Sequence, residues 1–84
     1  MNSERKIGII AIVIDNPKEV QTRLNNLISD FGDIIIGRMG IPYRERNISV
    51  LSLVIDATEN EINTLTGKLG SLPGVSAKVA IAKR

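Results

Sequence analysis

Residues 37 to 46 read GRMGIPYRER, where two glycines, a proline and three arginines crowd together. Arg38, Arg44 and Arg46 are the densest basic group in the chain, and guanidinium groups so placed can grip a carboxylate, a phosphate or an RNA backbone. Gly37 and Gly40 raise a second chemistry, the glycine-rich phosphate cradle. That device needs its glycines in a turn that runs into a helix N-terminus. Here they sit inside an apolar strand that continues to a hairpin, and no helix follows. The stretch therefore predicts an irregular edge strand. Proline is tolerated at edges and bulges, glycine marks a bulge, and the arginines guard the edge against aggregation. Two carboxylates, Asp15 and Asp56, end equivalent apolar runs. As a pair they could act as acid and base or hold a hard cation. Their repeated position favours a structural role, as acceptors for loop or helix N–H groups. Asn16, Ser29, Thr58, Thr64 and Thr66 have no histidine or cysteine to activate them. No catalytic constellation emerges, and the expectation is a non-enzyme with no catalytic residue, metal ligand or cofactor.

The composition narrows the field further. Eighty-four residues suit a single small domain, here expected to span residues 1–84, and a 43% hydrophobic content predicts a packed core. With no histidine in the chain, imidazole catalysis and the usual zinc and nickel ligand sets are excluded within one subunit. With no cysteine there is no disulfide, which fits a cytoplasmic protein. A formal net charge of +2 gives little bulk attraction for nucleic acid. The apolar run Ile7 to Ile14 is too short to span a bilayer and reads as a core strand.

An internal echo gives the elements that must position these residues. Val13-Ile14-Asp15 recurs as Val54-Ile55-Asp56. Each copy leads into a helix start: Asn16-Pro17-Lys18-Glu19 offers an N-cap with proline behind it, and Thr58-Glu59-Asn60-Glu61 a capping box. Glu19 and Glu61 lie 42 positions apart, as do Val20 and Ile62, Leu27 and Leu69, and Gly32 and Gly74. Val20, Leu24, Leu27, Ile28 and Phe31 form one helical stripe, ended by Gly32, a residue that tolerates left-handed geometry. Ile62, Leu65, Leu69 and Leu72 form another, ended by Gly70 and Pro73-Gly74. Gly67 inside it marks a close contact or an early end. Strands are expected at Lys6 to Asp15, Asp33 to about Tyr43, Asn47 to Asp56 and Val75 to about Ala82. The polar loop Arg44-Glu45-Arg46-Asn47 joins the middle two. The order β-α-β-β-α-β with right-handed crossovers predicts the ferredoxin-like sandwich, an α+β fold. Its four-stranded antiparallel sheet has order 4-1-3-2 and both helices on one face.

A sheet sheltered on one side should alternate apolar and polar residues. This one is apolar in both phases. Ile10, Ile12 and Ile14 with Leu51, Leu53 and Ile55 are assigned to the core beneath the helices. Ile7, Ile9, Ala11 and Val13 with Ile48, Val50, Ser52 and Val54 then face away, and the chain ends are too short to cover them. Such a patch predicts a homo-oligomer, a dimer packed sheet on sheet that could pair further into a tetramer. RNA-recognition domains of this fold display stacking aromatics on the sheet. Here Phe31 belongs to a helix and Tyr43 is the only other aromatic, so direct nucleic-acid binding is not expected.

The runs DIIIGRMGIPY at Asp33 to Tyr43 and EINTLTGKLG at Glu61 to Gly70, with an early GIIAIVID strand, closely resemble small proteins described as iron-only hydrogenase system regulators. The resemblance covers nearly the whole chain. It implies an ACT-like, ferredoxin-like domain, similar in shape to the C-terminal domain of nickel-responsive regulators. It further implies a regulatory role, associated with transcription around hydrogenase genes, with a small effector or protein partner received between subunits. The histidine and cysteine ligands of nickel repressors have no counterpart here, so nickel sensing does not carry over, and neither does their DNA-binding segment. ACT-like domains often bind effectors near the first strand–helix loop, which here is Asp15-Asn16-Pro17. The effector-site residues so expected are Asp15, Asn16, Arg38, Met39, Tyr43 and Arg44.

Overall fold

A computed structural model describes residues 4–83. Strand β1 (Arg5–Ile14) is followed by helix α1 (Pro17–Asp30) and β2 (Ile35–Tyr43). A single 3₁₀ turn (Arg44–Arg46) leads into β3 (Ile48–Thr58), α2 (Glu59–Gly70) and β4 (Val75–Ile81). The four strands form one antiparallel sheet in the order β2-β3-β1-β4. This is the ferredoxin-like topology expected from the repeat, with β1 and β3 central.

The hydrophobic rows sort as their alternation requires. Ile10, Ile12, Ile14, Leu51, Leu53 and Ile55 are all buried. They pack under Val20, Leu24 and Ile28 of α1 and Ile62, Leu65 and Leu69 of α2. Fully burying each such side chain contributes about 1.5–3 kcal/mol. The helix starts differ. At α2 the capping box forms: Glu61 N–H donates to Thr58 Oγ1 at 3.2 Å, and Thr58 N–H donates to Glu61 Oε1 at 3.0 Å. At α1, Pro17 stands in the first turn, but Asn16 makes no side-chain cap hydrogen bond.

Several local expectations need correction. β2 begins at Ile35 rather than Asp33, β3 runs two residues past Asp56, and Asn47 belongs to the turn with φ 55°. Helix α1 ends at Asp30 with Phe31 as cap, and Gly32 does not adopt a positive φ. Its echo partner Gly74 does, at 71°, in the turn that brings its carbonyl to Asp15 N–H at 2.8 Å. Gly67 is neither a close contact nor a helix end, because a Cβ built there meets nothing within 4 Å. The close approach is instead at Gly8, where a Cβ would lie 3.3 Å from Ile62 Cδ1, so α2 lies tight against β1.

The irregularity anticipated in the second strand is present. Ile35 pairs with Ile55 and Gly37 with Val54, so Ile36 is an extra residue and the register shifts across it. Such a bulge reverses the facing of everything beyond it relative to an unbroken strand. As a result Met39, Ile41 and Tyr43 share a face with their partners Ser52, Val50 and Ile48. Arg38, Gly40 and Pro42 share the helix side with Leu53, Leu51 and Ser49.

Candidate functional site

Two surfaces stand out, one on each side of the sheet. The face away from the helices is built by cross-strand pairs. Ile9 pairs with Val54, Ala11 with Ser52, and Val13 with Val50, joining the outer rows of β1 and β3. On β2 the bulge adds Met39, Ile41 and Tyr43 beside Ser52, Val50 and Ile48. Ile9 is 48% exposed, Val50 37%, Ile41 55% and Met39 66%. Ile7, Ile48, Ser52 and Val54 are half-buried and Ala11 is exposed. Among the described residues nothing lies over this face. It is apolar across three strands and gives way on β4 to Ser76, Lys78 and Ala80. At the opening of β1 it is bounded by an ion pair. Arg5 Nε donates to Asp56 Oδ1 at 3.1 Å, and Nη2 to Oδ2 at 2.6 Å. The two side chains meet across paired strands, and Arg5 is largely exposed, so the pair is worth at most about 1 kcal/mol.

The second surface is a groove on the helix side, where α1 stands off the edge strand. Its inner lobe holds about 240 Å³ and is floored by Ile14, Leu51 and Gly40. Gln21 and Asn25 form the α1 wall, and Arg38 and Pro42 the β2 wall. A larger lobe of about 660 Å³ continues past Pro17, Pro42 and Ser49 to Asn16, Lys18, Glu19, Arg44 and Asn47. The side chains of Gln21, Asn25, Arg38 and Arg44 make no hydrogen bond or ion pair with the described residues.

The six expected effector-site residues do not form one site. Arg38 lines the inner lobe, and Asn16 and Arg44 line the outer one. Met39 and Tyr43 lie on the opposite side of the sheet, because neighbouring strand residues alternate in facing. Asp15 sits just beyond β1, next to the Gly74 turn and outside both lobes. Asp15 and Asp56 are also separated. Asp56 pairs with Ile7 near the start of β1, while Asp15 follows its end. About 25 Å of strand lies between them, so they cannot work as a carboxylate pair. The contribution of Met39 and Ile41 to the apolar face, and of Gln21 and Asn25 to the groove, was not anticipated from the sequence. Ile41 follows Met39 at strand spacing, a signal that becomes readable once the bulge is placed.

One ionisable group is clearly tuned. The Glu61 carboxyl is held below its usual range, first by the Thr58 backbone N–H, then by the Thr58 hydroxyl, with Arg5 adding a smaller attraction. This serves the helix cap and not a reaction. Among the described residues no three acidic side chains gather into a cation site, and no helix is long and apolar enough to cross a membrane.

The fold is a ferredoxin-like sandwich with one exposed apolar sheet face and a small, cation-bearing groove on the helix side. More specifically, the chain belongs to the TM1266-like family, "Iron-only hydrogenase system regulator, putative", which matches residues 6–79. It is similar to the solved structure of an uncharacterized protein, TM1266 from Thermotoga maritima, at 32% identity and a TM-score of 0.90. That match covers 95% of this chain and 100% of the other. No curated protein matches.

Proposed function

We propose that the chain is a non-enzymatic, ACT-like regulatory module that works as a homodimer, sheet packed on sheet, with a small effector received in the α1–β2 groove. The observation that carries this reading is the apolar face opposite the helices, continuous across β2, β3 and β1. Monomeric proteins seldom leave so large an apolar patch to water. A second copy of the same face is its natural complement, since a two-fold contact needs only one self-complementary patch. The family description adds a setting, control of an iron-only hydrogenase system. The mass in solution tests the reading. Light scattering is expected to give at least twice the 9.1 kDa subunit mass, and a monodisperse monomer at high concentration would refute it.

A further inference from the structure

We infer that the inner lobe of the α1–β2 groove takes a small metabolite carrying one carboxylate or phosphate, gripped by Arg38, and that its occupancy tightens association through the opposite sheet face. This rests on the face-to-face dimer proposed above and adds the ligand class and the regulation.

Three observations support the ligand class. The two lobes are lined by Lys18, Arg38 and Arg44 against the single carboxylate of Glu19. The excess of two positive charges equals the formal net charge of the whole chain, +2. The groove thus carries a local excess of positive charge. Arg38 is uncommitted to any described residue, and a free guanidinium matches an oxyanion through two parallel hydrogen bonds. Ile14, Leu51 and Gly40 offer an apolar floor, while Gln21 and Asn25 present unused amides. The inner lobe alone, about 240 Å³, lies below the range of about 300–1,000 Å³ for drug-sized ligands, so an occupant confined to it is small.

The linkage follows from β2. It is an edge strand, and it has no buried residue, whereas β1, β3 and β4 all do. Its packing is therefore the weakest in the sheet, and such segments open most readily. The same strand turns Arg38 and Gly40 to the groove and Met39 and Ile41 to the apolar face. A ligand that holds β2 from one side orders the residues that a second copy meets on the other. Binding and association then share one ordering cost, and each favours the other.

The test uses the full chain at constant ionic strength with three probes: isovalerate, inorganic phosphate and the neutral isovaleramide. Sedimentation equilibrium reads the dimer dissociation constant, and amide NMR shifts of Gly40 and Ser49 read the groove. The constant is expected to fall by at least about fivefold with one or both anions and to stay unchanged with isovaleramide. The anion that acts separates a carboxylate from a phosphoryl ligand. Arg38→Gln should abolish the response. So should Gly40→Val, which plugs the floor without changing charge and whose Cβ would meet Leu51 Cδ1 at 3.4 Å. Groove shifts with no change in the constant would overturn the inference. Silence to both anions, an equal response to isovaleramide, or an intact response in Arg38→Gln would do the same. A dimer that ignores both anions sinks this inference alone, whereas a chain that stays monomeric with and without them sinks the dimer as well.

Discussion

Replacing Ile9 with aspartate separates a functional face from a merely apolar one. Ile9 sits mid-strand on central β1, paired with Val54 and Ala80, and is already half in water, so the isolated subunit can accept a carboxylate there. Lys78, partnered with Ala11, stands diagonally across from it and can offset the charge. The folding cost is limited to strand preference and lost contact, about 1 kcal/mol. The dimer fares differently. Four strands at about 4.8 Å and a length of about 30 Å give a face of roughly 600 Å² in projection. Two such faces bury about 1,200 Å², the lower end of stable interfaces. If about two-thirds is apolar, the gross gain is about 20 kcal/mol. Association costs of about 12 kcal/mol, within the usual range, leave about 8, a dissociation constant of order 1 µM. By two-fold symmetry Ile9→Asp desolvates two carboxylates. At about 2 kcal/mol each, the constant rises roughly a thousandfold, into the millimolar range. At about 100 µM subunit, sedimentation equilibrium should find wild type as dimer and Ile9→Asp as monomer, with matching circular dichroism and melting that differs by only a few degrees. A variant that associates as tightly as wild type, while folding normally, would refute the assignment of this face.

The remaining expectations concern the scaffold. Gly67→Ala should stabilise the fold by about 1 kcal/mol, since the helix gains propensity and the new Cβ meets open space; a thermal melt several degrees higher checks it. Gly74→Ala should cost about 1–2 kcal/mol through its positive φ, although neighbouring atoms leave room for the methyl; a lowered urea midpoint is the readout. Glu61 gives a pH dependence. Its folded-state pKa is depressed from 4.5, so its contribution is fully present above that value and is lost as pH falls through the folded pKa. The urea midpoint of wild type relative to Glu61→Gln should therefore decline on acidification below about pH 4.5, and a difference independent of pH would contradict the capping geometry.

The architecture was legible because it rests on period and repetition. Ile10, Ile12 and Ile14 and their β3 counterparts are spaced for one buried face, and the structure buries them all. The Thr58–Glu61 capping box was equally readable, since both partners lie within one helical turn. What escaped was mostly non-local or conformational. The Arg5–Asp56 pair joins residues 51 apart, which come together only when β1 and β3 pair. Gly32 and Gly74 occupy echoed positions, yet only Gly74 takes the left-handed conformation, because the two helices end differently. Grouping Arg38, Met39 and Tyr43 as one effector surface followed sequence proximity, and strand alternation divides that group between two sides. The groove depends on how far α1 stands off β2, a distance that no residue pattern encodes.

The extra residue at Ile36 has a larger consequence than its size suggests. Were Ile36 to take a place in the ladder, with no bulge, the downstream strand would present arginine and proline to the outer surface and send methionine, isoleucine and tyrosine beneath the helix. A three-nucleotide deletion of Ile36 itself would leave both sides as they are, because Gly37 would then follow Ile35 in the register it already holds opposite Val54. The bulge, rather than the composition of the segment, sets which chemistry each side of the edge strand presents.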